Sequence, residues 1–189
     1  MASDETTTGD IVPDDKDWTW VLERPCPDCG FDASTTRPDQ VAGLVRANAA
    51  AWPSLLADPR AATRPDPATW SALEYACHVR DVLRLYEVRL NWMLDEDDPL
   101  FANWDQDVTA VEEAYGTQDP ATVATELAEA ADVIAAHFES LPPEAWARPG
   151  RRSDGAAFTV DTFARYFVHD PIHHTWDAES GYRTLGAEA

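Results

Sequence analysis

From Pro38 onward the apolar positions of this chain recur with the period of a helix, and they fall into four blocks. The first predicted helix spans about 38–57, with Val41, Leu44, Val45, Trp52 and Leu55 on its buried face. A second begins near Pro67, capped by Thr69, and reaches Leu94. Its core stripe is Tyr75, Val79, Val82, Tyr86 and Leu90. A third covers roughly 121–141, with Val123, Leu127, Ile134, Phe138 and Leu141 in register. The fourth starts at Thr159 and runs to about Ala178. Amphipathic helices of this number and length predict an all-α four-helix bundle over residues 38–189.

Residues 1–37 read as a tail and a Trp/Cys-containing extension. The first sixteen or so are acidic and threonine-rich, with nothing to bury, and are expected to be mobile. The stretch DWTWVLE puts Trp18, Trp20 and Leu22 on one side of a short extended segment, a strand pattern. CPDCGFD then makes a tight turn holding Cys26 and Cys29. Between the second and third helices, DEDDPLFANWDQDVTAVEEAYGTQ is too long for a plain connection and predicts a functional loop or further turns. RPGRRSDGAAF, before the fourth helix, has the composition of a loop or short hairpin. There is no internal repeat and no glycine-rich phosphate loop.

Charge narrows the partners. With 35 acidic against 14 basic residues the net charge is −21. Such a field repels phosphate backbones and anionic lipid, which argues against nucleic acid and membrane and for a small-molecule substrate. No apolar run approaches the roughly 18 residues of a membrane span. The N-terminus lacks the basic-then-apolar order of a secretory signal, so a cytoplasmic location is expected. Self-association as a homodimer stays open. Three cysteines are too few for a disulfide framework.

The chemistry concentrates in YFVHDPIHHTWDAE, residues Tyr166–Glu179, which holds three of the five histidines. At about 100° per residue, Thr162, Tyr166, His169, His173 and Trp176 form one stripe, and His169 and His173 overhang the same spot. His174 is rotated by about 100° and is expected to point elsewhere. Pro171 predicts either a kink or a new helix capped by Asp170. His78, at the edge of the second helix's buried face, can reach across to complete a three-histidine metal site with an open position. His137 on the third helix competes for that part, and spacing alone leaves the choice open. Against both stands the ordinary case of hydrogen-bonded core histidines.

These residues carry a resemblance. W-x-x-x-x-x-x-x-H from Trp70 to His78, followed by H-x-x-x-H from His169 to His173 on the last helix, resembles the DinB-like superfamily over about residues 38–178. The resemblance implies an up-down-down-up four-helix bundle of DinB-like type, with one divalent ion on His78, His169 and His173. Zinc or nickel suits imidazole ligands. Relatives include thiol-dependent enzymes in which the metal lowers a thiol's pKa. The implied function is therefore thiol-dependent S-transfer to a small electrophile. Thirteen of the bases are arginine. That usage suits an actinobacterial source, where the low-molecular-weight thiol is mycothiol. The alternatives are a metal-dependent hydrolase using water at the same open position, and a non-catalytic metal-binding protein.

Several side chains are candidates around such a site. Asp105, in the NWDQD loop expected to close over the ion, is a candidate base, set against a solvated loop carboxylate. Tyr166 is a candidate hydrogen-bond donor. Arg151 and Arg152 read as an anchor for a carboxylate substrate or as a surface loop. Asp170 and Asp177 can hold histidine N–H groups. Cys26-Pro-Asp-Cys29 is half of a zinc ribbon without a second C-x-x-C, so a turn with buried thiols is favoured over zinc or a redox pair.

Overall fold

The computed structural model describes Ile11 and residues 17–187. The expectation of a mobile tail falls, but for Ile11, on residues outside that range. Four long helices form the bundle: α1 (Pro38–Ala49), α3 (Ala72–Asp95), α5 (Pro120–Ser140) and α6 (Val160–Ala187). A short helix, α2 (Trp52–Leu56), follows α1, and α4 (Gln106–Glu112) lies between α3 and α5. Both α5 and α6 pack against α1 and against α3, and the order runs up-down-down-up. No helix among the described residues is long and apolar enough to cross a membrane.

Local chemistry explains where the elements begin and end. The first predicted helix divides into α1 and α2 because Pro53 has no N–H to give the carbonyl four residues back. The second starts later than expected, at Ala72. Ser71 is its cap: Ser71 Oγ accepts from the Glu74 N–H at 3.2 Å, and the Ser71 N–H donates to Glu74 Oε2 at 2.8 Å. Thr69 belongs to the turn before it, its N–H bonded to the Asp66 carbonyl. α5 opens on Pro120 with Asp119 as its cap. α6 stays helical through Pro171, so Asp170 caps nothing, and the helix continues well past Ala178.

The long connection contains structure. Strand β1 (Leu100–Phe101) pairs in parallel with β2 (Pro149–Arg152), which forms a hairpin with β3 (Ala157–Thr159). Gly155, at φ 101°, supplies the turn. Asp105 caps α4, accepting from the Asp107 and Val108 N–H groups at 3.1 and 3.0 Å.

The extension corrects one expectation. Residues Trp18–Leu22 are a 3₁₀ turn rather than a strand, capped by Asp17, whose Oδ1 accepts from the Thr19 N–H at 2.9 Å. Alternation put Trp18, Trp20 and Leu22 on one buried side; instead Val21 is buried and the other three are half-buried. This segment and the turn at Ala33–Thr35 lie on α6.

The core joins Val41, Val45 and Trp52 to Val82, Tyr86 and Leu90 of α3, Leu127, Ile134 and Phe138 of α5, and Phe163 and Phe167 of α6. At the head of α3, buried Glu74 pairs with Arg64 at 2.9 Å. Burial pushes the Glu74 carboxyl up, but Arg64 and Ser71 outweigh it and hold it below the usual value of 4.5. Its stabilisation is therefore present above the unfolded pKa and is lost as pH falls through the lower folded one. Glu74→Gln is expected to cost on the order of 3 kcal/mol near pH 7, by urea denaturation. The gap between variant and wild type should close towards about pH 3. An equal gap at both pH values contradicts the assignment.

Candidate functional site

α3 and α6 meet around His78, which is fully buried against the facing helix. Its register on α3 follows from Val79, Val82 and Tyr86, which carry the stripe into the core. On α6 the core stripe is set by Phe163 and Phe167, and one and two turns further on it presents Asp170 and His174. The side chains of His78, Asp170 and His174 offer ligand atoms that all lie within 4.8 Å of one another. His78 Nε2 is 3.4 Å from Asp170 Oδ1, and His174 Nε2 is 3.8 Å from the same oxygen.

This grouping differs from the expected one. His169 and His173 lie on the neighbouring face of α6 and gather with Cys26 and Cys29 instead. His174, expected to point away, has its ring 4.7 Å from that of His78. The expected stripe runs through His169 and His173, which are indeed buried; the half-buried Asp170 and His174, one residue further round, are the ones that meet His78. Asp170, expected as a helix cap or as a partner for a histidine N–H, stands here among the ligand atoms. The i, i+4 spacing of Phe163 and Phe167 is the sequence signal that continues to both residues.

Both His78 nitrogens and Asp170 Oδ1 are buried with no hydrogen-bond partner. Polar groups so placed cost about 1–3 kcal/mol each unless something binds them. Burial holds His78 below its usual pKa and therefore neutral. Burial pushes Asp170 up, but the neighbouring imidazoles of His174 and His78 prevail and bring it down to about 2. Neutral imidazoles and an ionised carboxylate are the forms that bind a divalent cation. Asp177 completes the arrangement, since His174 Nδ1 is 2.9 Å from Asp177 Oδ2. A proton on Nδ1 donates there and turns the Nε2 lone pair towards the cluster. The three residues fit a metal ion.

A cavity of about 860 Å³ opens on the cluster. Trp104 stacks on His78 with ring centroids 5.4 Å apart and planes 7° apart, and Trp70 is 5.4 Å away on another side. Thus part of the NWDQD loop does lie over the cluster, while exposed Asp105 sits on the rim with Oδ1 committed to its cap. Tyr166 also lines the cavity, and its hydroxyl accepts from Arg152 Nη1 at 3.1 Å. Arg151 and Arg152 part company: Arg152 faces the cavity, whereas Arg151 is exposed and pairs with Asp98 at 2.9 Å. Sequence reasoning missed Arg89, which is 4% exposed, lines the cavity and donates to the Ala102 carbonyl at 2.8 Å.

An up-down-down-up bundle with a two-histidine, one-carboxylate cluster between α3 and α6 defines a class of helical proteins with a candidate metal site. The chain belongs to the DinB superfamily, whose pattern it matches over residues 43–178. Among solved structures it is similar to YfiT from Bacillus subtilis, with a TM-score of 0.71 and 18% identity. The match covers 79% of this chain and 87% of that one. YfiT is described as a probable metal-dependent hydrolase with an unusual four-helix bundle topology. No curated protein matches.

His137 stands apart from both clusters, its Nδ1 2.9 Å from Glu87 Oε1 across α5 and α3. His137→Ala should therefore leave metal content unchanged and cost about 1 kcal/mol or less, the range of a part-exposed pair. Elemental analysis and thermal unfolding check both; a loss of metal would return His137 to the ligand set.

Proposed function

We propose that the protein is a metal-dependent hydrolase that holds one divalent ion on His78, Asp170 and His174 and acts on a small anionic substrate. The observation that carries this reading is the donor set, two imidazoles and a carboxylate with buried, unpartnered ligand atoms on the wall of an open cavity. Catalytic zinc sites use such a set and keep a further position for water or substrate. When bound, the ion supplies Lewis-acid activation there. The description of YfiT as a probable metal-dependent hydrolase agrees with it.

The chain's own residues supply the rest. Arg89 makes no ion pair among the described residues and is the cavity guanidinium suited to a carboxylate or phosphate, while Arg152 beside it is already paired with Asp154 at 2.7 Å. Because Tyr166 accepts from Arg152, its own O–H is directed to donate elsewhere, and a substrate carbonyl or leaving group is the natural acceptor. Asp105 on the rim is the candidate proton acceptor. Trp70 and Trp104 hold the His78 ring and exclude water from its faces.

Thiol S-transfer is the second reading, favoured by the size of the cavity, which leaves room for a thiol such as mycothiol beside an electrophile. Two assays separate the readings. Hydrolysis of carboxylate-bearing esters and amides is measured with and without added zinc or nickel. Conjugation of mycothiol, bacillithiol and glutathione to a haloarene is measured in parallel. Metal-dependent hydrolysis that falls by about 100-fold or more in His78→Ala is expected. Metal-dependent conjugation without hydrolysis installs the second reading, and silence in both removes catalysis.

A further expectation concerns Asp177. Asp177→Asn should weaken binding of the ion about 10–100-fold, the usual effect of losing the carboxylate behind a ligating histidine. Competition with a metal indicator measures it; unchanged affinity would mean that His174 is not a ligand.

A further inference from the structure

α6 carries two pairs of ligand side chains on adjacent faces, and the second has no part in the proposed reaction. Cys26, Cys29, His169 and His173 bring their ligand atoms within 4.8 Å of one another. The cysteines are reduced. Cys26 Sγ lies 3.6 Å from His173 Nδ1, across 147 positions of sequence. A tetrahedral zinc with bonds of about 2.3 Å to sulfur and 2.0–2.1 Å to nitrogen sets its sulfur and nitrogen ligands about 3.6 Å apart. The spacings, C-x-x-C on one segment and H-x-x-x-H on a helix, are those of Cys₂His₂ zinc sites.

The local structure is built for the purpose. The Gly30 N–H donates to the Cys26 carbonyl at 3.0 Å, and the Cys26 N–H donates to the Phe31 carbonyl at 2.9 Å. Gly30 at φ 73° closes this knuckle, which turns both thiols towards α6. His169 Nε2 is buried with no hydrogen-bond partner. A disulfide between the two cysteines would leave that nitrogen unsatisfied, whereas an ion coordinated by all four side chains gives the cluster its common partner. Asp177 Oδ2 lies 3.7 Å from His173 Nε2, on the side away from the thiols.

The extension also needs a fastening. Of residues 17–37 only Val21, Cys26 and Ala33 are buried, too little apolar surface to hold such a segment by itself. Yet Trp18 packs on His169 and His173, with ring centroids 5.6 and 5.2 Å apart, and lines the large cavity.

We propose that Cys26, Cys29, His169 and His173 bind a structural zinc ion that clamps residues 17–37 onto α6 and so fixes the Trp18 wall of the cavity. Four protein ligands leave no open position, which separates this site from the His78 cluster, with which it shares no ligand. It stands whether or not the proposed hydrolase reading does.

Cobalt substitution tests it on the full chain. With Co²⁺ in place of the native metal, the wild type should show a sulfur-to-cobalt charge-transfer band with the strong d–d absorption of a tetrahedral ion. The band should persist in His78→Ala and disappear in Cys26→Ser/Cys29→Ser, together with about one equivalent of zinc by elemental analysis. The wild-type spectrum decides even if the double variant does not fold: without a sulfur-to-cobalt band the proposal fails. For the clamp, removing zinc from the wild type should speed chymotryptic cleavage after Trp20 and Phe31 by about tenfold or more, through a larger open population. Unchanged cleavage would overturn the clamping role.

Discussion

A buried imidazole with neither nitrogen hydrogen-bonded is a cost that a fold must offset, and His78 is such a group. It cannot be relieved by turning outward, because Val79, Val82 and Tyr86 fix the roll of α3. Nor does Asp170 relieve it, because the 3.4 Å separation from His78 Nε2 leaves Asp170 Oδ1 unpartnered as well. Two unsatisfied groups facing one another in a helix interface are worse than an apolar pair, unless a third body joins them. A divalent cation held there, as proposed, would be that body, with α3 and α6 as its two jaws.

The same helix then has to serve two neighbours. With 3.6 residues per turn, Asp170 and His174 face α3 while His169 and His173 face the extension, so alternate steps of one short stretch are divided between two clusters. Asp177 touches both, at 2.9 Å from His174 Nδ1 and 3.7 Å from His173 Nε2. The closeness has a structural consequence. Anything that turns α6 about its axis moves both clusters together, and Asn48, bonded to the Pro171 carbonyl at 2.9 Å, helps to hold that roll against α1.

Much of this was legible in the chain. The apolar period gave the four long helices, and the family motif gave the topology, because both rest on strong, redundant signals. Boundaries slipped where one residue decides: Pro53 splits the first helix, and Ser71 with Glu74 overrides Thr69 as the cap of the second. The Trp18–Leu22 alternation misled because a 3₁₀ turn and a strand differ little over five residues, and no partner strand was there to decide. At the site, the expected trio of His78, His169 and His173 is divided between two side-chain clusters. The expected stripe follows His169 and His173, which are buried, whereas the residues that meet His78 are the half-buried Asp170 and His174, one step round. The knuckle reads alone as half of a ribbon; the histidine that Cys26 meets lies 147 positions away on a helix, which no local pattern reveals.

The charge balance constrains how such a site works. A net charge of −21 draws cations towards the protein, which favours loading of metal, and it opposes an approaching anion. At physiological ionic strength that opposition fades beyond about 8 Å from the surface charges. Discrimination therefore rests on groups met at the end of the approach, where Arg89 and Arg152 stand among several aspartates. Arg152 keeps only 14% of its side chain exposed, Arg89 is buried, and both face the cavity. Guanidinium groups removed from water interact more strongly with an anion than exposed ones do, because little solvent is left to screen them. On the proposed reading a small anion is held only where it engages Arg89 and Arg152 directly, past the aspartates that share the same wall.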